Sequence, residues 1–453
     1  MRTHLLALLI FIVATALPST GVVAGQAPGG PAPGTSGVTV LHFGKLWDGS
    51  KVVNDPVVVV EGDRVKSVGS GPSAIPPNAR VVDLTRLYAI PGLIDDHTHI
   101  TYWAEAHPRP GVRPLQTSMG LPTAVRVFMA QENARKSLEA GFTTVRDLGA
   151  QEYADLAMRD LINRGAMVGP RIFGAGYGLH TTSRAPRAGE VLVPSGGEAN
   201  GRAEVLKAVR EQVAAGADVI KMFGSVGGFD NVNTTQTFTF EEMQAAVEVA
   251  HAYGKKIAIH SYGPTGARDA VRAGTDSLEH AVDIDDETLQ EMVKRGTVYI
   301  PTVAHNQNYW DNADWYGFAP GYAEKFKDYI DRNKATLRRA IKAGVRIGMG
   351  SDAVFVMWGH NGLDLPIYVQ CGMTPEQALV AATRVNATLL PAEKSLGAVA
   401  PGYFADIVGV QGDPLADVNV VLSNVRWVMK GGQVVVNKTD GGRTSPLGVD
   451  RRH

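Results

Sequence analysis

The run Asp95-Asp-His-Thr-His99 sets two histidines one residue apart, each able to offer a nitrogen lone pair to a metal. Side chains alternate along an extended strand, so His97 and His99 would point to the same side, about 7 Å apart along the backbone, and both imidazoles can close on one ion. Four further polar groups stand in or just after short apolar runs: Lys221, His260, His280 and Asp352. Cys371 is the one cysteine, so neither an internal disulfide nor a cysteine zinc cluster can form, and any metal must be held by nitrogen and oxygen. Taken singly, each of these histidines is more simply a surface or packed residue. Taken together, His-x-His, Lys, His, His and Asp at the ends of successive strand-like runs point to a metal site. His251 and His305 do not share this placement and read as ordinary histidines.

Distant groups of this kind meet only if the intervening elements bring them to one place. Apolar β-like runs cover 90–99, 143–148, 171–176, 219–223, 256–260, 277–280, 298–301 and 346–351, and helical patterns such as 123–140, 202–215, 240–253 and 323–343 fall between them. Eight βα units in one run predict an α/β chain with a closed (β/α)8 TIM barrel, in which groups at the C-terminal ends of the strands share one mouth. Gly141, Gly216, Gly254, Gly274, Gly296 and Gly344 stand where helices give way to the next strand, and a left-handed cap is expected at each.

The two ends of the chain carry short β-branched runs with turn signals, each end too small for a core of its own. Residues 38–88 and 395–440 are therefore expected to meet as one composite β-sandwich domain, with the barrel domain spanning 89–394. Arg2 and His4 precede an apolar run over 5–17, and Gly21-Val-Val-Ala24 supplies small residues, which predicts a signal peptide over 1–24 and a flexible linker over 25–37. The run is shorter than the roughly 20 residues a spanning helix needs, so the mature protein is expected to be exported, periplasmic or secreted, with no membrane segment. Lys plus Arg number 44 against 45 Asp plus Glu, a net charge of -1, which argues against a nucleic-acid partner; 44% hydrophobic residues argue against disorder.

The motifs resemble those of the amidohydrolase superfamily, within its binuclear branch of imidazolonepropionase-like proteins, Xaa-Pro and Xaa-Arg dipeptidases and ochratoxin-hydrolysing amidases. The likeness runs through Ala89-Ile-Pro-Gly-Leu-Ile-Asp-Asp-His-Thr-His99, Ala217-Asp-Val-Ile-Lys221, Ile259-His-Ser-Tyr262, Ser277-Leu-Glu-His280, Gly348-Met-Gly-Ser-Asp352 and Gly402-Tyr-Phe-Ala-Asp-Ile407. It implies that His97, His99 and Asp352 hold the more buried of two ions, that His260 and His280 hold the second, and that Lys221 bridges both as a carbamate. An unmodified ammonium among four imidazoles and a divalent ion would be electrostatically unfavourable, which agrees with that implication. Zinc is the expected ion, with manganese or cobalt as substitutes. A water bridging ions about 3.5 to 4 Å apart would be largely hydroxide at neutral pH and would be the nucleophile. Asp352 would then act as general base and general acid.

The loops that would touch substrate depart from the family pattern. Tyr262 is expected to contact the scissile carbonyl, or else to pack at the rim; His180 lies beyond strand three, where relatives commonly carry Gly-Gly-His and this chain has Gly176-Tyr-Gly-Leu-His180. Arg184 and Arg187 are candidates for holding a substrate carboxylate. Tyr309, Trp310, Trp315, Tyr316 and Phe318 would either line a pocket for an apolar group or pack a long loop. The leading expectation is hydrolysis of the amide bond of a small dipeptide-like or N-acyl amino acid substrate. The alternatives are an imidazolonepropionase-like cyclic amide hydrolase, a lactonase or esterase on the same site and, last, a non-catalytic binding protein. A homo-oligomer is compatible with all of them.

Overall fold

The computed structural model describes residues 37–105, 120–182, 196–225, 236–318, 321 and 323–439. The expected signal segment and nearly all of the linker lie outside these residues. No helix among the described residues is long and apolar enough to cross a membrane.

The described chain opens with β1 (Val38–Trp47), β2 (Val52–Asn54), β3 (Pro56–Glu61), β4 (Arg64–Ser70) and β5 (Val81–Pro91). Eight strands follow: β6 (Leu93–Thr98), β7 (Phe142–Asp147), β8 (Arg171–Gly174), β9 (Val219–Phe223), β10 (Lys256–Ser261), β11 (Ser277–His280), β12 (Val298–Ile300) and β13 (Arg346–Ile347). β14 (Ile407–Val410), β15 (Val425–Lys430) and β16 (Gln433–Asn437) complete it.

The first and last groups form one eight-stranded sheet in the order β16-β15-β14-β5-β1-β3-β4, with β2 paired to β1. The ends of the chain are united by β5, which pairs in parallel with β1 on one side and antiparallel with β14 on the other. Ala405 N donates to Asp63 O at 2.8 Å and Gly432 N to Ala405 O at 3.1 Å, so the segment before β14 ties the β3–β4 turn to the β15–β16 turn. Between them Leu41, Phe43, Val58, Ile407, Trp427 and Met429 form one apolar cluster.

The middle strands form two parallel arcs, β13-β12-β11-β10-β9 and β6-β7-β8. Every residue of β6, β7, β8 and β11 is buried, the pattern of parallel strands covered on both faces. Backbone contacts cross both seams between the arcs. Asp218 N donates to Gly174 O at 2.8 Å and Leu179 bridges Met222, joining the β8 side to β9. Asp96 N donates to Met349 O at 3.0 Å, Asp352 N to His97 O at 2.6 Å, and Thr98 bridges Ala353, joining β6 to the chain beyond β13.

Two expected elements divide. The run 90–99 contains a change of sheet: Ile90 and Pro91 belong to β5, while Gly92 N donates to Asp406 O at 2.8 Å and Leu93 N to Gly141 O at 3.1 Å. A Cβ on Gly92 would stand 2.1 Å from Thr143 Oγ1, so only glycine fits where the chain leaves one sheet for the other. The helix expected over 123–140 is two helices, Thr123–Met129 and Gln131–Glu139, parted at Ala130, where ψ is -9°. The helix Phe240–Ala252 begins where Thr239 and Glu242 close a reciprocal capping box. The six expected cap glycines all have positive φ, from 66° at Gly254 to 97° at Gly274.

Candidate metal centre

His97 and His99 leave the end of β6 with ring centroids 5.7 Å apart. The rest of the chain brings His280 to 4.8 Å from His97, and His260 to 4.5 Å from His280. Asp352 closes the group: its Oδ1 lies 3.3 Å from His99 Nε2 and 3.7 Å from His97 Nε2. One ligand atom from each of His97, His280 and Asp352 lies within 4.8 Å of the others, the one such buried trio among the described residues. Lys221, on β9, stands opposite Ala258 of β10, and its charge bears on His97, His260 and His280.

Each of three rings is oriented through its other nitrogen. His97 Nδ1 meets Glu279 Oε2 at 2.8 Å, His99 Nδ1 donates to Gly149 O at 2.9 Å, and His280 Nδ1 meets Thr302 Oγ1 at 2.7 Å. That leaves each Nε2 turned toward the shared space, the arrangement in which outer partners fix metal-binding imidazoles. Glu279 is itself held by Arg146 Nη2 at 3.0 Å and Ser277 Oγ at 2.5 Å, and Arg146 Nε donates to Asp96 O at 2.6 Å.

The charge states suit a cation. Burial lowers His97 to about 4 and holds His260 and His280 well below their usual value, so these imidazoles are neutral at pH 7 and their lone pairs are free. For His99, burial pushes down but hydrogen bonding and the charge of Asp352 outweigh it and raise the ring. Asp352 is driven up by burial but held well below the carboxylate range by His305, His97 and the other imidazoles around it. Burial pulls the Lys221 ammonium down to about 8. Its Nζ is buried and has no hydrogen-bond partner among the described residues. A buried amine with no hydrogen-bond partner among the described residues, beside imidazoles and a carboxylate, fits a site completed by a cation and by modification of that amine; the residues present therefore fit divalent metal.

The backbone is strained at the ligands themselves. His280 has φ of 72° and Asp352 of 50°, conformations that side-chain-bearing residues adopt at a cost of about 1 to 3 kcal/mol and that persist where surroundings impose them. Asp95 imposes one of them: its carboxylate accepts from Ser351 N at 2.8 Å, Ser351 Oγ at 2.5 Å, Asn361 Nδ2 at 2.8 Å and His97 N at 3.3 Å. It thus ties the His-x-His strand to the turn bearing Asp352. A Cβ on Gly350 would lie 2.6 Å from His97 Cβ, so glycine lets that turn approach β6.

The expected substrate residues divide. Tyr262 joins the site, stacked on His280 at 5.3 Å and edge-on to His260 at 4.5 Å. His180 donates through Nδ1 to Gly178 O at 3.1 Å; its described link to the ligand set is through the backbone, Leu179 N donating to Lys221 O at 2.8 Å. Arg184 and Arg187 lie outside the described residues. In the aromatic stretch Tyr309, Trp310 and Phe318 pack against the core; Tyr309 also meets Tyr316 at 4.6 Å, and Tyr316 and Trp315 meet Phe355 at 6.4 and 6.2 Å. Tyr102 continues from Phe355 at 6.1 Å to His99 at 4.9 Å, so a belt of rings borders the ligands on that side.

One reading of the sequence is corrected. His305, taken as an ordinary histidine, has its Nε2 3.4 Å from Asp352 Oδ2 and its Nδ1 2.8 Å from Asp352 O. It lies beyond β12, on the helix Val303–Asp311, so no strand-end rule marks it. His251 is the surface residue expected, paired with Asp276 at 2.8 Å. Glu279 and Arg146 were also passed over, although Glu279 stands directly before His280.

Glu279→Gln should weaken metal binding by roughly 10- to 100-fold, the usual worth of an outer-shell partner, because the amide cannot hold His97 Nδ1–H as a carboxylate does. Competition with a chelator measures this, and unchanged affinity would remove Glu279 from the metal's support.

The comparisons with known proteins agree with this geometry. The model of the amidohydrolase family matches residues 88–435. Ochratoxinase of Aspergillus niger is 30% identical over 92% of this chain and 89% of its own length. The imidazolonepropionase of Kosmotoga olearia is 24% identical over 84% of this chain and 91% of its own. A crystal structure of a Xaa-Pro dipeptidase with methionine bound in its active site is 31% identical and superposes with a TM-score of 0.78, covering 88% of this chain and 99% of that one. With its histidines and lysine on or beside the buried strands and its aspartate on the turn beyond β13, this chain belongs to the amidohydrolase family and is a hydrolase acting on carbon–nitrogen bonds.

Proposed function

We propose that this protein is an exported, binuclear metal-dependent amidohydrolase that cleaves the amide bond of a small dipeptide-like or N-acyl amino acid substrate. The observation that carries this reading is the meeting of four imidazoles and Asp352 beside the buried amine of Lys221, which has no hydrogen-bond partner among the described residues. The names of the relatives, ochratoxinase and Xaa-Pro dipeptidase, support amide substrates. In the same reading the two parallel arcs close as a (β/α)8 barrel over 89–394 and the terminal sheet folds over as a β-sandwich; the backbone contacts across both seams support it.

His97, His99 and Asp352 would hold one ion, His260 and His280 the other, and Lys221 both. Lys221 loses one proton to become the neutral amine, whose Nζ adds to the carbon of carbon dioxide and releases a second proton, which together turn a cation into an anion with two oxygens. Two ions of zinc or a similar divalent metal, when bound, supply an activated water as nucleophile and a Lewis acid for the carbonyl. Asp352 takes the proton of the attacking water and delivers it to the departing amine nitrogen, general base and then general acid. Tyr262, whose ring packs against His260 and His280, would donate its hydroxyl to the carbonyl oxygen as charge develops there. His180 and Arg184 are assigned to substrate binding, Arg184 toward a carboxylate.

The ring belt beside Asp352 supports an aromatic or large apolar substrate group. N-acetyl-L-phenylalanine should be cleaved at least ~10-fold more efficiently than N-acetyl-L-alanine, with Phe355→Ala levelling the two, since a hydrophobic pocket discriminates by about 1 to 3 kcal/mol. Equal kcat/KM in the parent enzyme removes the belt from specificity. The experiment that tests the function is a panel of dipeptides, N-acyl amino acids, lactones and aryl esters with metal-loaded mature protein. Turnover confined to lactones or esters overturns the amide assignment. Maximal activity with one ion per chain moves the protein to the imidazolonepropionase-like mononuclear reading. Export rests on the apolar run 5–17 and is tested by the mass of the N terminus recovered from the periplasm or medium.

A further inference from the structure

Arg146, on β7, is fully buried and directs its guanidinium at three acceptors. Nε donates to Asp96 O at 2.6 Å, Nη1 to Ser277 Oγ at 3.1 Å and Nη2 to Glu279 Oε1 at 3.0 Å. Ser277 Oγ donates its one proton to that same Glu279 Oε1 at 2.5 Å, so the hydroxyl accepts from the arginine and donates to the glutamate. Glu279 Oε2 is left to His97 Nδ1–H, at 2.8 Å. β6 and β7 belong to one parallel arc and β11 to the other, so His97 and Arg146 together grip a carboxylate of the opposite arc.

The guanidinium has an alternative partner and does not take it. Asp96 sets a second buried carboxylate within its field, yet neither Asp96 carboxylate oxygen is hydrogen-bonded among the described residues, and Nε goes to the Asp96 carbonyl instead. That carbonyl belongs to the peptide entering His97, so the fork is anchored to the strand whose histidine it serves. Nothing intrinsic to glutamate would divide its oxygens in this way, because the bond that carries a carboxylate is a soft torsion with a broad, nearly two-fold profile. With Oε1 bound twice, Oε2 alone faces His97, and the Nδ1–H it accepts holds the ring with Nε2 toward the other ligands.

We propose that Arg146 is a positioning residue for the metal centre, setting the His97 ring through the Glu279 carboxylate, with Ser277 closing the grip on Oε1. This rests on the reading of His97 as a metal ligand. What Arg146 supplies is the planar fork of donors and not charge alone.

The test uses Arg146→Lys, which keeps the charge and loses the fork, and Ser277→Ala, which removes only the hydroxyl between Nη1 and Oε1. Ion affinity by chelator competition, the visible absorption of the cobalt-loaded protein and the Tm of the metal-free protein are read for the parent, for each variant and for each combined with Glu279→Gln. Arg146→Lys should weaken the ion by roughly 10- to 100-fold, the usual worth of an outer-shell partner, and change the cobalt spectrum. Ser277→Ala should move both in the same direction by less. Added to Glu279→Gln, Arg146→Lys should weaken binding by less than about threefold more, since residues of one hydrogen-bond network are not additive. Parental affinity and spectrum in Arg146→Lys overturn the proposal, and a lowered Tm beside them makes the arginine structural only. Full additivity with Glu279→Gln overturns it as well. If Arg146→Lys does not accumulate folded, Ser277→Ala decides: unchanged affinity and spectrum, or full additivity with Glu279→Gln, overturns the assignment. A parent protein that binds no divalent ion refutes the metal reading and this proposal with it. One that binds ions but cleaves no amide refutes the proposed function alone, because affinity and spectrum need no turnover.

Discussion

Lys221→Ala should bind one tight ion in place of two and lose turnover by more than the roughly 10- to 100-fold that removal of an outer-shell partner costs. Lys221 Nζ is buried with no hydrogen-bond partner among the described residues, so no hydrogen bond is lost that would explain the defect. The effect must come from the missing two-oxygen bridge. Bicarbonate with short carboxylic acids should restore part of the second ion and of the activity, since a free carboxylate fits the volume the side chain vacates. Lys221→Arg should not be active, because a guanidinium stays charged and cannot add carbon dioxide. Elemental analysis and turnover measured on the same preparations decide the matter; full activity in Lys221→Ala removes the bridging role.

Asp352→Asn separates proton transfer from metal binding. Four imidazoles and the modified lysine should retain most of the metal, while turnover falls by a factor on the order of 100 to 10,000, the usual worth of a general acid/base. The loss should shrink for aryl esters and nitroanilides, whose leaving groups depart with less protonation. Equal losses on amides and activated esters at full metal content would mean that proton delivery is not the task of Asp352, and His180 or Tyr262 would be examined in its place.

Much of the site was legible because the strand period is simple. His97 and His99 share a face by alternation, and Lys221, His260 and His280 lie within two residues of the ends of strands fully or largely buried. Residues that reach the site from beyond strand ends carry no such mark. His305 arrives on a helix after the left-handed turn at Thr302, and its partner is the carbonyl of a residue 47 positions away. Glu279 and Arg146 were hidden differently. A buried ion pair inside a sheet breaks the apolar pattern by which strands are recognised, and only its partner across the fold explains why it is tolerated.

The sequence alone determined the set of candidate metal-binding side chains, the alternation of strands and helices and the six glycine caps, since each depends on local periodicity or on φ at one residue. It also determined the family, whose motifs lie on those same strand ends. Only the tertiary structure decided that β5 unites the two ends of the chain, that Asp95 ties β6 to the turn of Asp352, and that His305 and Glu279 stand behind the ligands. Those are contacts between residues 182 to 316 positions apart, Pro91 with Ile407, Asp95 with Ser351, His97 with Glu279, and no local pattern encodes which partner a buried group will find.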